Sequence, residues 1–184
     1  MADVFDRLMT HVLSNEGGYS NHPDDRGGET NWGMTIAVAR RYGYAAPMRS
    51  MTRDQAVAIY RARYWAEPGY DKIAALSEPI AAELFDTGVN MGPSVASSML
   101  QRALNALNRQ GKDYPDLKAD GDAGPATRAA LTDFLRIRGK EGEGVMLKAL
   151  NVLQGERYVS LAEGRSANES FLYGWLRTRV EIPA

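Results

Sequence analysis

The opening segment, Val4 to Glu16, constrains the fold more tightly than any other stretch of the chain. Val4, Phe5, Leu8, Met9, Val12 and Leu13 recur at the i, i+4, i+8 spacing of a single helix face. Such a stripe predicts an amphipathic helix over residues 2–16, whose apolar side the rest of the chain must cover. Glu16 falls four residues after Val12 and three after Leu13, so a carboxyl continues the stripe. Gly17 and Gly18 then end the helix, as glycines past the last turn commonly do. A carboxyl on the buried side of a helix end is desolvated and faces the negative pole of the helix dipole. Both effects favour the protonated form, which a general acid requires at neutral pH.

The residues that follow, Tyr19 to Thr35, form a polar, glycine-rich loop with carboxylates, hydroxyls and the aromatics Tyr19 and Trp32. An acid on a helix end beside such a loop is the pattern of a glycosidase cleft. Gly27-Gly28 and the Asp24-Asp25 pair are turn signals, so the loop has room for a short hairpin.

Beyond the loop the chain reads as a string of helices. Thr35 to Tyr42 is helical and stops at Gly43, and Thr52-x-x-Gln55 is a capping box opening a helix with Ala56, Val57, Tyr60 and Tyr64. A helix runs from about Pro79 to Asn90, and another from about Ser94 carries Val95, Met99, Leu100, Ala103, Leu104 and Leu107. Residues 112–127 are polar and turn-rich. Residues 126–138 return to helix, Gly139 to Gly144 reads as a charged glycine linker, and helices over about 145–162 and 168–179 close the chain. Met91-Gly92-Pro93 is the sharpest break, so residues 1–92 and 93–184 are the expected domains, packed closely together.

Composition excludes several classes. A chain of 184 residues, 44% hydrophobic, can bury one good core or two small ones. The absence of cysteine rules out a disulfide scaffold, a thiol nucleophile and cysteine-based metal centres. A formal net charge of −1 gives no global attraction to nucleic acid or anionic membrane. No apolar run approaches a membrane span, and the start lacks the basic residues and apolar stretch of a secretory signal. The expectation is a monomer made in the cytoplasm, not inserted in a membrane, that reaches any extracytoplasmic substrate by release or export.

The run Glu16-Gly17-Gly18-Tyr19, followed by Asp25-x-Gly27-Gly28-x-Thr30-Asn31-Trp32-Gly33-Met34-Thr35, resembles the signature of glycoside hydrolase family 108. Tyr64-Trp65 and Leu84-Phe85-Asp86-x-x-Val89-Asn90-x-Gly92 extend the likeness to about residue 92. The remainder is similar to the peptidoglycan-binding domain that accompanies that catalytic domain, through Leu100-Gln101-x-Ala103-Leu104-Asn105 and Asp120-Gly121-x-x-Gly124-Pro125-x-Thr127-x-x-Ala130-Leu131. The resemblance implies a mainly α, lysozyme-like α+β fold, with a helical catalytic half bearing a short hairpin or loop, then a helical peptidoglycan-binding half. It implies hydrolysis of the β-1,4 bond between N-acetylmuramic acid and N-acetylglucosamine, by lysozyme-like muramidases many of which are phage endolysins. Peptidoglycan is then the partner, and no cofactor is implied.

The same likeness implies a triad of Glu16, Asp25 and Thr30. Phage-type lysozymes space these groups so that the in-register third position here is Asn31, whereas the family 108 motif places the threonine at Thr30. Glycoside cleavage needs one protonated carboxyl for the leaving oxygen and a second group across the sugar. Glu16 supplies the first. Asp25 stays ionised in its wetter loop, activating water or stabilising positive charge at the anomeric carbon, and the Thr30 hydroxyl orients that water. Tyr19, Asn31, Trp32, Tyr64 and Trp65 are the candidate substrate-binding residues, although such aromatics are more often packing residues.

The remaining signals are weaker. His11 and His22 are the only histidines and no His-Glu-x-x-His spacing occurs, so no metal site is expected. Asp120-Gly121-Asp122 departs from an EF-hand because Leu131 stands at the twelfth position; it reads as a turn capping the next helix. Arg128, Arg136, Arg138 and Lys140 read as a solvated helix face. Two alternatives share the residue pattern: a lytic transglycosylase using Glu16 alone, and a catalytically silent wall-binding protein.

Overall fold

The apolar stripe becomes α1 (Val4–Asn15) in the computed structural model, which describes residues 3–15, 18–21 and 28–180. Phe5, Met9 and Leu13 are the buried positions of α1, with Val4, Leu8 and Val12 half-buried beside them. The Phe5 ring lies 6.0 Å from that of Trp65, and the Arg61 guanidinium stands 4.2 Å from the Phe5 centroid. Arg61 also donates to Asp3 at 2.6 Å and to Asp6 at 2.7 Å. The hydrogen bond from Arg61 is the main reason the Asp3 carboxyl is held below its ordinary range.

These elements belong to the first of two compact units, Met1–Glu67 and Pro68–Ala184. Its only sheet among the described residues is a hairpin of β1 (Thr30–Asn31) and β2 (Met34–Thr35), paired Thr30 to Thr35 and Asn31 to Met34. The two-residue turn has φ values of 53° at Trp32 and 71° at Gly33, the left-handed pair that a type I′ hairpin needs. Helix α2 (Ile36–Arg41) leaves the strand directly, capped by the Thr35 hydroxyl, which accepts from Val38 N at 3.4 Å. A 3-10 turn (Met48–Ser50) leads to α3 (Arg53–Arg61), opened by the expected capping box: Thr52 N donates to Gln55 Oε1, and Gln55 N to Thr52 Oγ1. The helix does not run on regularly to Tyr64. Ala62–Ala66 is a π-helical turn closed by Glu67 N donating to Ala62 O at 2.9 Å.

The second unit is built from α4 (Tyr70–Ala74), α5 (Glu78–Met91), α6 (Pro93–Ala106), α7 (Pro125–Glu163) and α8 (Glu169–Arg179). Helix α5 packs against α4, α6 and α7, and α7 in turn against α8. Leu84, Phe85, Leu100, Leu104, Leu131 and Phe134 are among the largest side chains closed off from solvent. The compact division falls at Glu67/Pro68 because α5 lies on α6, whereas the sequence break falls at 92/93. Gly88 lies against Pro93, where a Cβ would stand 3.6 Å from Pro93 Cα, an ordinary van der Waals contact.

Amides of α6 and of Asn108 just beyond it hold the polar segment 109–124, which contains no regular element. Gln101 Nε2 donates to Asp120 Oδ1 and Asp122 O, Asn105 brackets Leu117 through its carbonyl and amide N–H, and fully buried Asn108 binds Asp113, Tyr114 and Asp116. These bonds replace the backbone partners that a helix or sheet would supply. The Asp120-Gly121-Asp122 turn is therefore held from α6 and does not cap α7, whose N-terminus has no side-chain cap.

The expected linker at Gly139–Gly144 is also absent. Residues 140–163 continue as helix, and only Gly139 departs, at φ 60° and ψ −152°, which kinks α7. Lys140, Glu141 and Glu143 are good helix formers, and Gly142 is buried where a Cβ would stand 2.3 Å from Arg138 Cβ. Glycine here admits close packing. Overall the fold is mainly α with one short hairpin, as expected. No helix among the described residues is long and apolar enough to cross a membrane.

Candidate active site

The site elements of the first unit are organised around the hairpin. Ser20 N donates to Thr30 O and Thr30 N to Ser20 O, both at 2.9 Å, so Ser20 pairs with Thr30 as Thr30 pairs with Thr35. Residues directly opposite in a sheet share a face, which lines up the hydroxyls of Ser20, Thr30 and Thr35 in one row. Thr35 spends its hydroxyl on capping α2, while that of Thr30 makes no hydrogen bond to any described residue. Thr30 is half-buried, so its hydroxyl is available on a backbone fixed from both sides.

Asn31 points to the opposite face, as strand alternation requires. It is 5% exposed, and its Nδ2 donates to Met48 O at 2.7 Å. Its amide group therefore clamps the hairpin to the 3-10 turn beneath. Trp32 holds a left-handed backbone that is strained for a bulky residue. Two bonds secure it: Trp32 Nε1 donates to Met51 O at 2.9 Å, and Tyr60 OH donates to Trp32 O at 3.2 Å.

The aromatics divide into two groups. Tyr19 is half-buried with the Arg49 guanidinium 4.7 Å from its ring, and Tyr64 is half-buried 5.4 Å from Tyr60 and under Arg63 at 5.1 Å. Trp32 is half-buried likewise. Trp65 is only 4% exposed and sits against Phe5, so it supports the unit from within, as Asn31 does. Glu16 and Asp25, together with His22, lie outside the described residues.

Ser20, Arg49 and Tyr60 carry structural roles at the site that the sequence reading did not assign. Ser20 gave no signal, because its pairing with Thr30 spans a loop. Tyr60 looked like a core residue of α3, which it is, at 2% exposed, yet its hydroxyl reaches the strained turn. Among the described residues no cluster of His, Asp and Glu could hold a metal ion.

Comparison with known proteins assigns the arrangement. Residues 9–92 match the family described as Glycosyl hydrolase 108, and residues 95–180 match the Predicted Peptidoglycan domain. Residues 9–92 are thus similar to glycosyl hydrolase 108 domains, and the two matches together support a glycoside hydrolase acting on peptidoglycan. The solved structure entitled "Structure of Brucella abortus SagA" is 27% identical, with a TM-score of 0.69, covering 94% of this chain and 87% of that one. No curated protein matches.

Proposed function

We propose that the protein is a muramidase, hydrolysing the β-1,4 bond between N-acetylmuramic acid and N-acetylglucosamine. Glu16 donates the proton to the leaving oxygen, ionised Asp25 activates water or stabilises the anomeric carbon, and Thr30 orients the water. The observation that carries this reading is the Ser20–Thr30 pair. It ties together both ends of the stretch containing Asp25, and Glu16 precedes Ser20 by only four residues. Thr30, at one end of that stretch, keeps its hydroxyl unspent among the described residues.

Tyr19, Trp32 and Tyr64 supply partly open rings for stacking on sugars, and residues 93–184 hold the wall. In this reading the protein is a monomeric lytic enzyme of the endolysin kind, made in the cytoplasm and acting on the wall after release. The test is release of reducing ends from purified peptidoglycan. Glu16→Gln abolishes it, Asp25→Asn lowers it by orders of magnitude, and Thr30→Ala lowers it less. Full activity in folded Glu16→Gln would remove the assignment.

A further inference from the structure

Two neighbouring depressions of the second unit share Arg157. One, of about 340 Å3, lies between α6 and the last turns of α7 and is polar: Arg102, Arg157, Asp120 and Glu156 line it, with the hydroxyls of Ser98 and Ser160. The other, of about 270 Å3, is walled by Tyr158 and Trp175, whose rings stack at 5.2 Å. The first holds two guanidiniums and two carboxylates facing the same space. Neither Arg102 nor Arg157 makes a hydrogen bond or ion pair with any described residue, although each has an acidic neighbour on the rim. The carboxylates are partly committed: Asp120 Oδ1 accepts from Gln101 and from Asp122 N, and Glu156 accepts from the Ser160 hydroxyl at 2.8 Å. The Asp120 side of the groove is close-packed, since a Cβ on Gly121 would stand 2.6 Å from Ser94 O.

Unspent cations and hydrogen-bonded anions around one groove suit a ligand carrying both charges along a short extended backbone. Of the two parts of peptidoglycan, the glycan offers hydroxyls and acetamides. The stem peptide offers carboxylates, backbone amides and, on its diamino acid, an amine. We propose that this groove binds the peptidoglycan stem peptide. Arg102 and Arg157 take its carboxylates, Glu156 its amine, and Ser98 its amides, while the aromatic depression beyond Arg157 lies where the attached sugar would follow. The inference rests on the reading of residues 93–184 as wall-binding and adds which component of the wall is recognised and by which side chains.

The experiment titrates the full-length protein with two soluble probes, a disaccharide–tetrapeptide and the free tetrapeptide, with co-sedimentation on intact walls run alongside. The disaccharide–tetrapeptide is a muramidase product and is not consumed. Wild type binds both probes. Arg102→Ala/Arg157→Ala, both exposed positions, weakens each by at least about tenfold, since charge-assisted hydrogen bonds to the probe are lost. Acetylating the diamino-acid amine weakens binding to wild type but makes no difference to Glu156→Gln. Wild type that pellets with walls yet binds neither probe, or a double variant that binds as wild type does, would overturn the proposal while the wall-binding reading stood. Wild type that does not pellet with walls would remove both.

Discussion

Asn31→Ala is the substitution whose effect follows most directly from the geometry beneath the site. The Asn31 amide donates to Met48 O at 2.7 Å, with the donor residue 5% exposed and Met48 fully buried. Alanine removes that bond and leaves the buried carbonyl with only its 3.1 Å bond from Met51 N, which costs about 0.5–1.5 kcal/mol. The loss is not confined to stability. Asn31 follows Thr30 in β1, and releasing the clamp loosens the strand that positions the Thr30 hydroxyl. A displacement near 1 Å can cost about a hundredfold in rate, so kcat should fall on the order of ten- to a hundredfold.

Asn31→Asp sharpens the test through pH. A carboxylate would face a carbonyl oxygen, so the folded state favours the protonated acid and raises its pKa above the unfolded value near about 3.9. Stability is then retained below about pH 4 and lost as pH rises through the raised value, making this variant weakest at neutral pH. Urea unfolding followed by circular dichroism at pH 4 and pH 7.5, beside release of reducing ends, reads both effects. Asn31→Ala within about 0.5 kcal/mol of wild type and fully active would refute the clamp.

Three further outcomes are expected. Gly139→Ala destabilises by about 1–3 kcal/mol, because φ 60° and ψ −152° are nearly glycine-only, whereas Gly144→Ala, helical and open, stabilises by about 0.5–1 kcal/mol in the same urea assay. Tyr114→Phe deprives Leu104 O of its 2.8 Å bond and costs about 1 kcal/mol, whereas Tyr158→Phe costs nothing measurable, since its buried hydroxyl has no partner among the described residues. Burial pushes both phenols up to about 12, so the stability they contribute is complete below about pH 10 and lost as pH climbs towards 12; Tyr158→Phe flattens that limb of an alkaline unfolding curve. The Arg61 bond depresses the Asp3 carboxyl, so its contribution, at most about 1 kcal/mol at so exposed a pair, is present above about pH 4 and disappears as pH falls through the lowered value; Arg61→Met removes this acid dependence.

Local signals were legible wherever one short stretch determines the structure. The α1 stripe, the Thr52–Gln55 box and the helical punctuation at Gly43 each depend on neighbours within a few residues, and all appear in the fold. The hairpin was suspected from turn signals, and the β1–β2 turn lies at Trp32-Gly33, where a left-handed tryptophan is held by distant Met51 and Tyr60. The α7 linker failed for a related reason. Glycine composition argued for a break, whereas Gly142 is required by packing against Arg138 and only Gly139 bends the chain. At the site, residue type identified Asn31 and Trp65 as sugar contacts, yet burial turns both inward. Gln101 and Asn105 gave the peptidoglycan-binding motif polar positions, but their purpose, shared with Asn108, emerges only from the loop they hold.

The account's central claim is hydrolysis at N-acetylmuramic acid with Glu16 as the acid. Purified peptidoglycan digested by wild type and Glu16→Gln, reduced with borohydride and read by mass spectrometry, tests it most directly. The account predicts products ending in reduced N-acetylmuramic acid from wild type and none from a folded Glu16→Gln. Anhydro ends, reduced N-acetylglucosamine ends, or unchanged products from the variant would contradict it.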